Sequence, residues 1–480
     1  MDAQASTTVH SLPPEILSHV FGFLAGAAPS EALHGQPSDD MLAANIRTQN
    51  LKAISLVSRQ WRSIVLPQLY RNIVWRPEVS SLSNLSLQPV ALLRFILDNA
   101  LASYVSTFTM LVTFAEDEID ARQIPHQIRP ADLEWLWDRL FSVIDPLRFT
   151  VIAPPTTLAA LLNRMLFLDD AWSFNIPYHV LSLARPARTS TPGRSAETLT
   201  IHSHPAELKV SSSSPSSAGP PSSTSAPSAP SCKTPEPAPP CALFNLRPWT
   251  SILLNEGSST RVYSSYEFFL RSPPSILSAL LGFGEYPNNA PLLPGTIVDF
   301  NYIAIFPLSS HFYTLISNLP KVDRLFVQLT PRPGNQLLQD RTAMKNVDMA
   351  DLWMERNTSY SYLIGQLTVP TPADNWATLK VFESGDAADK ESWDMAVNFL
   401  ERSGVKDWKT QRDGVLVKLD EGKTEMPSGA GMVAHHLLGN DTFDGTIFQG
   451  EIRRIAFNGV ARLPYSSMWL YLQDPPEHNH

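Results

Sequence analysis

Helical and strand spacings of the hydrophobic positions alternate along this chain. Near the start, Ile16, Leu17, Val20, Phe21 and Leu24 fall at i, i+1, i+4, i+5 and i+8, a wide apolar face on one helix. Pro13 and Pro14 suit the start of that helix, where a missing N–H costs nothing, and Glu15 favours the positive end of its dipole. A second helical pattern spans 50–65, with Val57, Trp61, Ile64 and Val65 on one face and Leu56 beside it. Pro67 is expected to stop that helix, and Leu69, Tyr70 and Ile73 add apolar anchors.

Beyond residue 90 the two periods take turns. Helical stripes are predicted at 91–104, 131–144, 158–167, 263–270, 310–317, 349–356 and 390–402. Strands are predicted at 106–114, 147–152, 178–183, 251–255, 302–306, 324–329, 378–382 and 414–419. A helix followed by a short strand, repeated at uneven spacing, makes this an α/β chain, either an irregular solenoid or an open sheet. The short β pieces flanked by Leu lean toward a degenerate leucine-rich-repeat curve, although no L-x-x-L-x-L register recurs.

Composition divides the chain further. Residues 211–241 are almost wholly Ser, Pro and Ala, with too little to bury to offset the entropy of ordering, and read as a disordered insertion. Four parts follow: a helical domain at 1–75, an α/β part at 90–210, the insertion at 211–241, and a second α/β part at 242–474. The two α/β parts read as one domain interrupted by the loop. A length of 480 residues with 43 % hydrophobic positions supports two or three cores. The net charge of −9 offers no footprint for phosphate backbones, which argues against nucleic-acid binding. Cys232 and Cys241 both fall in the Ser/Pro-rich stretch, where neither staples a core, so a reducing compartment is expected. No apolar run reaches the length of a membrane helix and the first residues lack a secretory pattern, so the expected location is cytoplasmic and/or nuclear.

The two N-terminal segments carry the most specific pattern. Leu12-Pro13 with Glu15-Ile16-Leu17, and then Leu56-Val57-Ser58 with Trp61-Arg62, resemble the F-box family, which shows Leu-Pro-x-Glu-Ile/Leu-Leu before Leu-Val-Ser/Cys-x-x-Trp-Arg. The resemblance covers about a tenth of the chain. It implies a small helical bundle that docks on the Skp-type adaptor of a cullin (SCF) ubiquitin ligase. Leu12, Pro13, Glu15, Ile16, Leu17, Val20, Phe21, Leu24, Leu56, Val57 and Trp61 are its implied contact residues. Phe21, Leu24 and Trp61 suit the bundle's internal core equally well. One departure stands out: the family joins the segments by a few residues, whereas here 25–49 form an inserted loop. Residues 92–110 resemble the helix-then-strand unit that follows the F-box in many fungal F-box proteins and opens a leucine-rich-repeat-like domain.

Signatures of chemistry are missing. The chain has no G-x-S-x-G, H-E-x-x-H, G-x-x-x-x-G-K-[ST] or G-x-G-x-x-G. His202 with His204, and His435 with His436, have no further ligand at metal spacing, and the acidic run 116–120 reads as a solvated turn. The expectation is an adaptor rather than an enzyme, with no cofactor and no metal, which holds a Skp-type subunit and through it a cullin, and presents a substrate protein that the sequence does not name. Two rivals stay open. One is an F-box protein acting with the Skp-type adaptor outside a ligase. The other is an α/β enzyme with an F-box-like appendage, which would need converging titratable groups in a pocket of the second α/β part.

Overall fold

The computed structural model describes residues 12–25, 28, 30, 45–81, 84–112, 128–166, 178–188, 240–258, 260–271, 275–283, 289–342, 344–368, 375–405 and 407–419. The Ser/Pro-rich stretch up to Pro239, most of the inserted loop, the acidic run 116–120, His202, His204, His435, His436 and the 420–474 end of the second α/β part lie outside them.

Three helices open the chain: α1 (Pro14–Ala25), α2 (Asn45–Ile54) and α3 (Arg59–Leu69). Pro14 takes the first helical position, as the Pro-Pro pair predicts. The Ser58 hydroxyl caps α3 by accepting from the Trp61 N–H at 3.1 Å. Pro67 does not stop α3, which runs on to Leu69. The proline removes one N–H in the last turn, so only one intrahelical bond is lost before the helix ends.

Strand β1 (Asn72–Trp75) follows almost at once, then a small ribbon of β2 (Glu78–Ser81) and β3 (Asn84–Ser86), and helix α4 (Val90–Asp98). The chain continues through β4 (Thr107–Leu111), α5 (Pro130–Val143), β5 (Arg148–Ala153), α6 (Pro155–Leu161), β6 (His179–Ala184) and β7 (Ser251–Ser258). After it come α7 (Leu277–Leu281), β8 (Asp299–Ile305), α8 (Ser309–Asn318), β9 (Arg324–Gln328), α9 (Met349–Thr368), β10 (Val381–Ser384), α10 (Lys390–Arg402), β11 (Trp408–Arg412) and β12 (Val415–Lys418).

Among the described residues, ten of these strands form one open sheet in the order β1-β4-β5-β6-β7-β8-β9-β10-β12-β11. Its strands follow chain order up to β10. β1, β4 and β5 pair in parallel, as do β7, β8, β9 and β10. β6 runs antiparallel to both neighbours, and β11–β12 close the far end as a hairpin. The sheet is therefore mixed, with parallel runs on either side of the reversed β6.

The reversal of β6 explains how the chain tolerates its long low-complexity stretch. Ala184, the last residue of β6, faces Ser251, the first of β7, so both ends of the connection 185–250 sit at one edge of the sheet. A hairpin-type connection needs no crossover, and closure entropy grows only slowly with its length. Part of the connection is nevertheless core. Cys241, Leu243, Phe244 and Trp249 are buried, which places Cys241 in the folded interior and not in a polar linker. It is a free thiol, and burial pushes its pKa up to about 11.

One face of the sheet carries the main core. Phe108, Phe149, Leu183, Ile252, Phe300 and Leu325 pack beneath the crossover helices, in a cluster running from Ile73 to Leu416. The opposite face is capped toward the strands' C-terminal ends by a smaller cluster, in which Leu111, Ile152, Leu253 and Ile303 meet Tyr263, Phe268 and Leu352. With both faces covered, β8 is buried at six successive positions, which is why such strands read as apolar runs more than as alternation.

Candidate functional site

The N-terminal helices build a small bundle around Leu17, Phe21, Leu51 and Val65, against which Leu12, Ile54, Trp61, Ile64 and Leu69 pack. Phe21 and Trp61 meet with ring centroids 5.2 Å apart. The Gln68 amide ties α3 to α1 by donating to the Ser18 carbonyl at 2.6 Å. The bundle leans on the sheet through Leu66, Tyr70 and Trp75, and Tyr70 stacks on Phe95 of α4 at 5.1 Å. Burial there raises the Tyr70 phenol pKa, with Arg62 opposing the shift.

The apolar face of α1 is split in two by this packing. Leu17 and Phe21 point inward, while Ile16 (50 % exposed), Val20 (47 %) and Leu24 (39 %) stay in solvent. Leu56 (79 %) and Val57 (53 %), on the turn between α2 and α3, are exposed as well. Pro13 and Glu15 lie exposed at the start of α1. Of the residues the motif points to, Leu12, Leu17, Phe21 and Trp61 therefore belong to the bundle's own core or its margin. The other seven are exposed to solvent. Phe23, which the motif does not single out, is 77 % exposed and meets His19 edge-on at 5.0 Å. Its sequence signal is position: it stands seven residues after Ile16 and three after Val20, on the outward stripe. Together these side chains leave a band of large apolar surface in water on a small domain.

Residues 9–76 match the F-box-like family model. The F-box-like domain thus coincides with the bundle and ends at β1. It supports assignment of this chain as an F-box protein, and in general such a domain implies a Skp-type adaptor as partner and an adaptor role in ubiquitin ligation. No curated protein and no solved structure matches the chain. No described helix is long and apolar enough to cross a membrane, and no group of ligating side chains among the described residues could hold a metal ion.

Beyond the F-box, the face of the sheet away from the crossover helices presents a second candidate surface. Near the strands' N-terminal ends, strand register aligns Thr107, Arg148, Ser251, Asp299, Arg324 and Val381 in one half-buried row. Arg324 anchors it, donating to Asp299 at 2.8 Å and to Glu383 at 2.6 Å. In the next row the buried polar residues Thr109, Thr150, Ser182 and Asn301 stand beside Leu253 and Phe326, and Thr150 and Ser182 bond across β5 and β6 at 2.9 Å.

Converging titratable groups do occur in the second α/β part. Glu256, at the end of β7, is buried and accepts from Tyr302 at 2.6 Å, from His311 at 2.9 Å and from the Ser275 hydroxyl. Burial pushes the Glu256 pKa up, but the charge and hydrogen bond of His311 overcome this and bring it down to about 2. Tyr302 is raised well above the ordinary phenol value by burial and by the adjacent carboxylate. His179, fully buried nearby, is brought down to about 4 by burial. His311 Nε2 also lies 3.2 Å from the Tyr302 hydroxyl, and the Ser275 hydroxyl accepts from the Leu277 N–H at 3.0 Å. Glu256 thereby joins β7, β8, α8 and the segment leading into α7. A second buried set has the same character: Asp386 accepts from the Leu329 and Thr330 N–H groups and from the Thr330 hydroxyl, with Arg356 at 3.5 Å.

Proposed function

We propose that this chain is a substrate-recognition adaptor of a cullin-type ubiquitin ligase. Its F-box docks on the Skp-type subunit through Ile16, Val20, Phe23, Leu24, Leu56 and Val57, with Pro13 and Glu15 at the margin. The sheet, acting as a leucine-rich-repeat-like support, presents a substrate protein along its polar row. The observation that carries the reading is the exposed apolar patch inside the F-box-like match. An apolar surface of this kind on a domain with so small a core is stabilised by burial against a partner. The chain-order arrangement of the strands supports the second half, since it stacks successive β–α units and lines up side chains from many strands on one face.

The test is capture of a purified Skp-type adaptor by the full-length protein, and by an Ile16→Asp/Leu56→Asp variant. Both positions are exposed, so the variant is expected to keep the wild-type circular dichroism and Tm while losing adaptor binding by at least about tenfold. Cullin retained in the captured complex supports the ligase role. Adaptor binding with no cullin retained favours an F-box protein working outside a ligase, and a folded wild type that captures no adaptor overturns the proposal.

A further inference from the structure

Three arginines converge on one aspartate at the edge of the sheet where β5 and β7 begin and β6 ends. Asp145 lies just before β5, Arg185 follows β6 directly, and Arg247 stands shortly before β7. Arg185 and Arg247 both donate to the same Asp145 carboxylate oxygen, Oδ1, and Arg188 donates to the Asp145 carbonyl at 3.0 Å. Each guanidinium is fixed by further contacts. Arg247 donates to the Phe141 carbonyl at 2.6 Å and to its neighbour Leu246 at 2.8 Å, and lies over the Phe141 ring at 5.2 Å. Arg188 reaches the carbonyls of Ser103 and Val105, and Arg185 reaches that of Pro146 at 3.3 Å while facing Trp249. Carbonyl acceptors satisfy N–H groups but leave the charge in place. Among the described residues no second carboxylate pairs with any of the three, so two positive charges in excess are held at one place in a chain of net charge −9. A donor is left over as well: the Arg185 side chain is 1 % exposed, and its buried Nη1 has no acceptor.

We propose that Arg185, Arg188 and Arg247 form a binding site for a phosphate group, free or esterified. Rigid guanidinium forks suit a tetrahedral oxyanion, whose several oxygens accept from more than one fork at once. A phosphate monoester carries about −1.5 to −2 charges near neutral pH, which matches the local excess. Arg188 is exposed and Arg247 half-buried, so the site opens to solvent on their side, and Arg185 supplies the unused donor from beneath. A phosphate held there ties the turn before β5 to both ends of the 185–250 connection. Thr189, Ser190 and Thr191 follow Arg188 in the sequence and are one source of an esterified phosphate. The site is separate from the docking patch, and it stands whether or not the adaptor reading does.

The test is thermal denaturation of the full-length protein, treated with phosphatase and desalted, as inorganic phosphate is titrated against sodium chloride at equal ionic strength. Phosphate is expected to raise Tm saturably, half-maximally below about 1 mM, while chloride has no effect. Arg188→Gln and, separately, Arg247→Gln are expected to weaken the response at least about tenfold. Arg324→Gln, in the polar row, is expected to leave it unchanged. The readout is the change that phosphate brings, so a variant with a lower starting Tm still reports, and exposed Arg188 carries the test if Arg247→Gln fails to fold. Protein made in a eukaryotic host that starts at the higher Tm, and loses it on phosphatase treatment, identifies the chain's own phosphorylated side chains as the source. Treated and untreated protein that respond alike leave free phosphate as the ligand. No response, a response only above about 10 mM, or one that persists in Arg188→Gln means an adventitious ion only and overturns the site.

Discussion

Neighbouring residues on α1 face opposite fates, and substitutions there separate folding from docking. Phe21 is buried against Trp61 at the centre of a four-residue core. Phe21→Ala is expected to cost about 3–5 kcal/mol, enough to unfold the bundle, as read by loss of helical dichroism and early proteolysis. The buried acid–base network makes a second statement at this scale. His179 has a folded pKa of about 4 against an ordinary 6.5, so the unfolded chain takes up a proton first. The stability its neutral form confers is complete above pH 6.5 and is lost as pH falls toward 4. Glu256 adds a lower limb: its folded value near 2 against 4.5 gives stability present above 4.5 and lost as pH falls toward 2. His179→Gln is expected to flatten the fall of Tm between pH 6.5 and 4 while leaving the lower limb in place. A Tm profile identical to wild type over that window would count against the assignment.

At the level of elements, the antiparallel turn of β6 separates the low-complexity stretch from the core. Residues 189–239 join two points that the sheet already holds, Arg188 on one side and the buried turn at Cys241 on the other. Arg188 is itself fixed, donating to the backbone carbonyls of Ser103, Val105 and Asp145. Replacing 189–239 by a Gly/Ser linker of about 15 residues is expected to leave the fold intact and to raise stability by about 1 kcal/mol, from the shorter closure alone. Thermal denaturation checks this; a large loss of Tm would mean that the segment contributes contacts of its own. The hairpin β11–β12 makes a different point. Its turn is Asp413-Gly414, with Gly414 at φ +79°, where a Cβ would also strike the Ser384 carbonyl at 2.9 Å. An Asp-Gly pair between two β-rich runs is a hairpin signal. Strand β11 hides behind its exposed polar residues Lys409 and Arg412, which suit an edge.

Across the whole molecule, the F-box and the sheet share side chains. Leu66, Tyr70 and Trp75 belong to the N-terminal segment yet pack on the main core. A protein of residues 1–76 alone would expose them, and its own core holds few buried side chains. It is expected to show weaker helical dichroism and a lower Tm than the same helices within the full chain, with recovery when the Skp-type adaptor is added. An isolated segment as stable as the full chain would show that the junction contributes little.

Local pattern carried much of this. The helical and strand periods, the two-part motif and the break in composition could all be read because each depends on residues close in sequence, and the strands 107–111, 148–153, 179–184, 251–258 and 324–328 stand where alternation or apolar runs placed them. What the tertiary structure decided depends on partners far apart. The single apolar stripe of α1 holds both Leu17 and Ile16, and only packing against α2 and α3 turns one inward and leaves the other in water. The four residues of β1 are too short to announce a strand, and they become one by pairing with β4. The reversal of β6 and the bond from Arg148 to Ser30, 118 residues away, have no local signature at all. Periodicity says which residues share a side; which side is buried is set by what the rest of the chain brings against it.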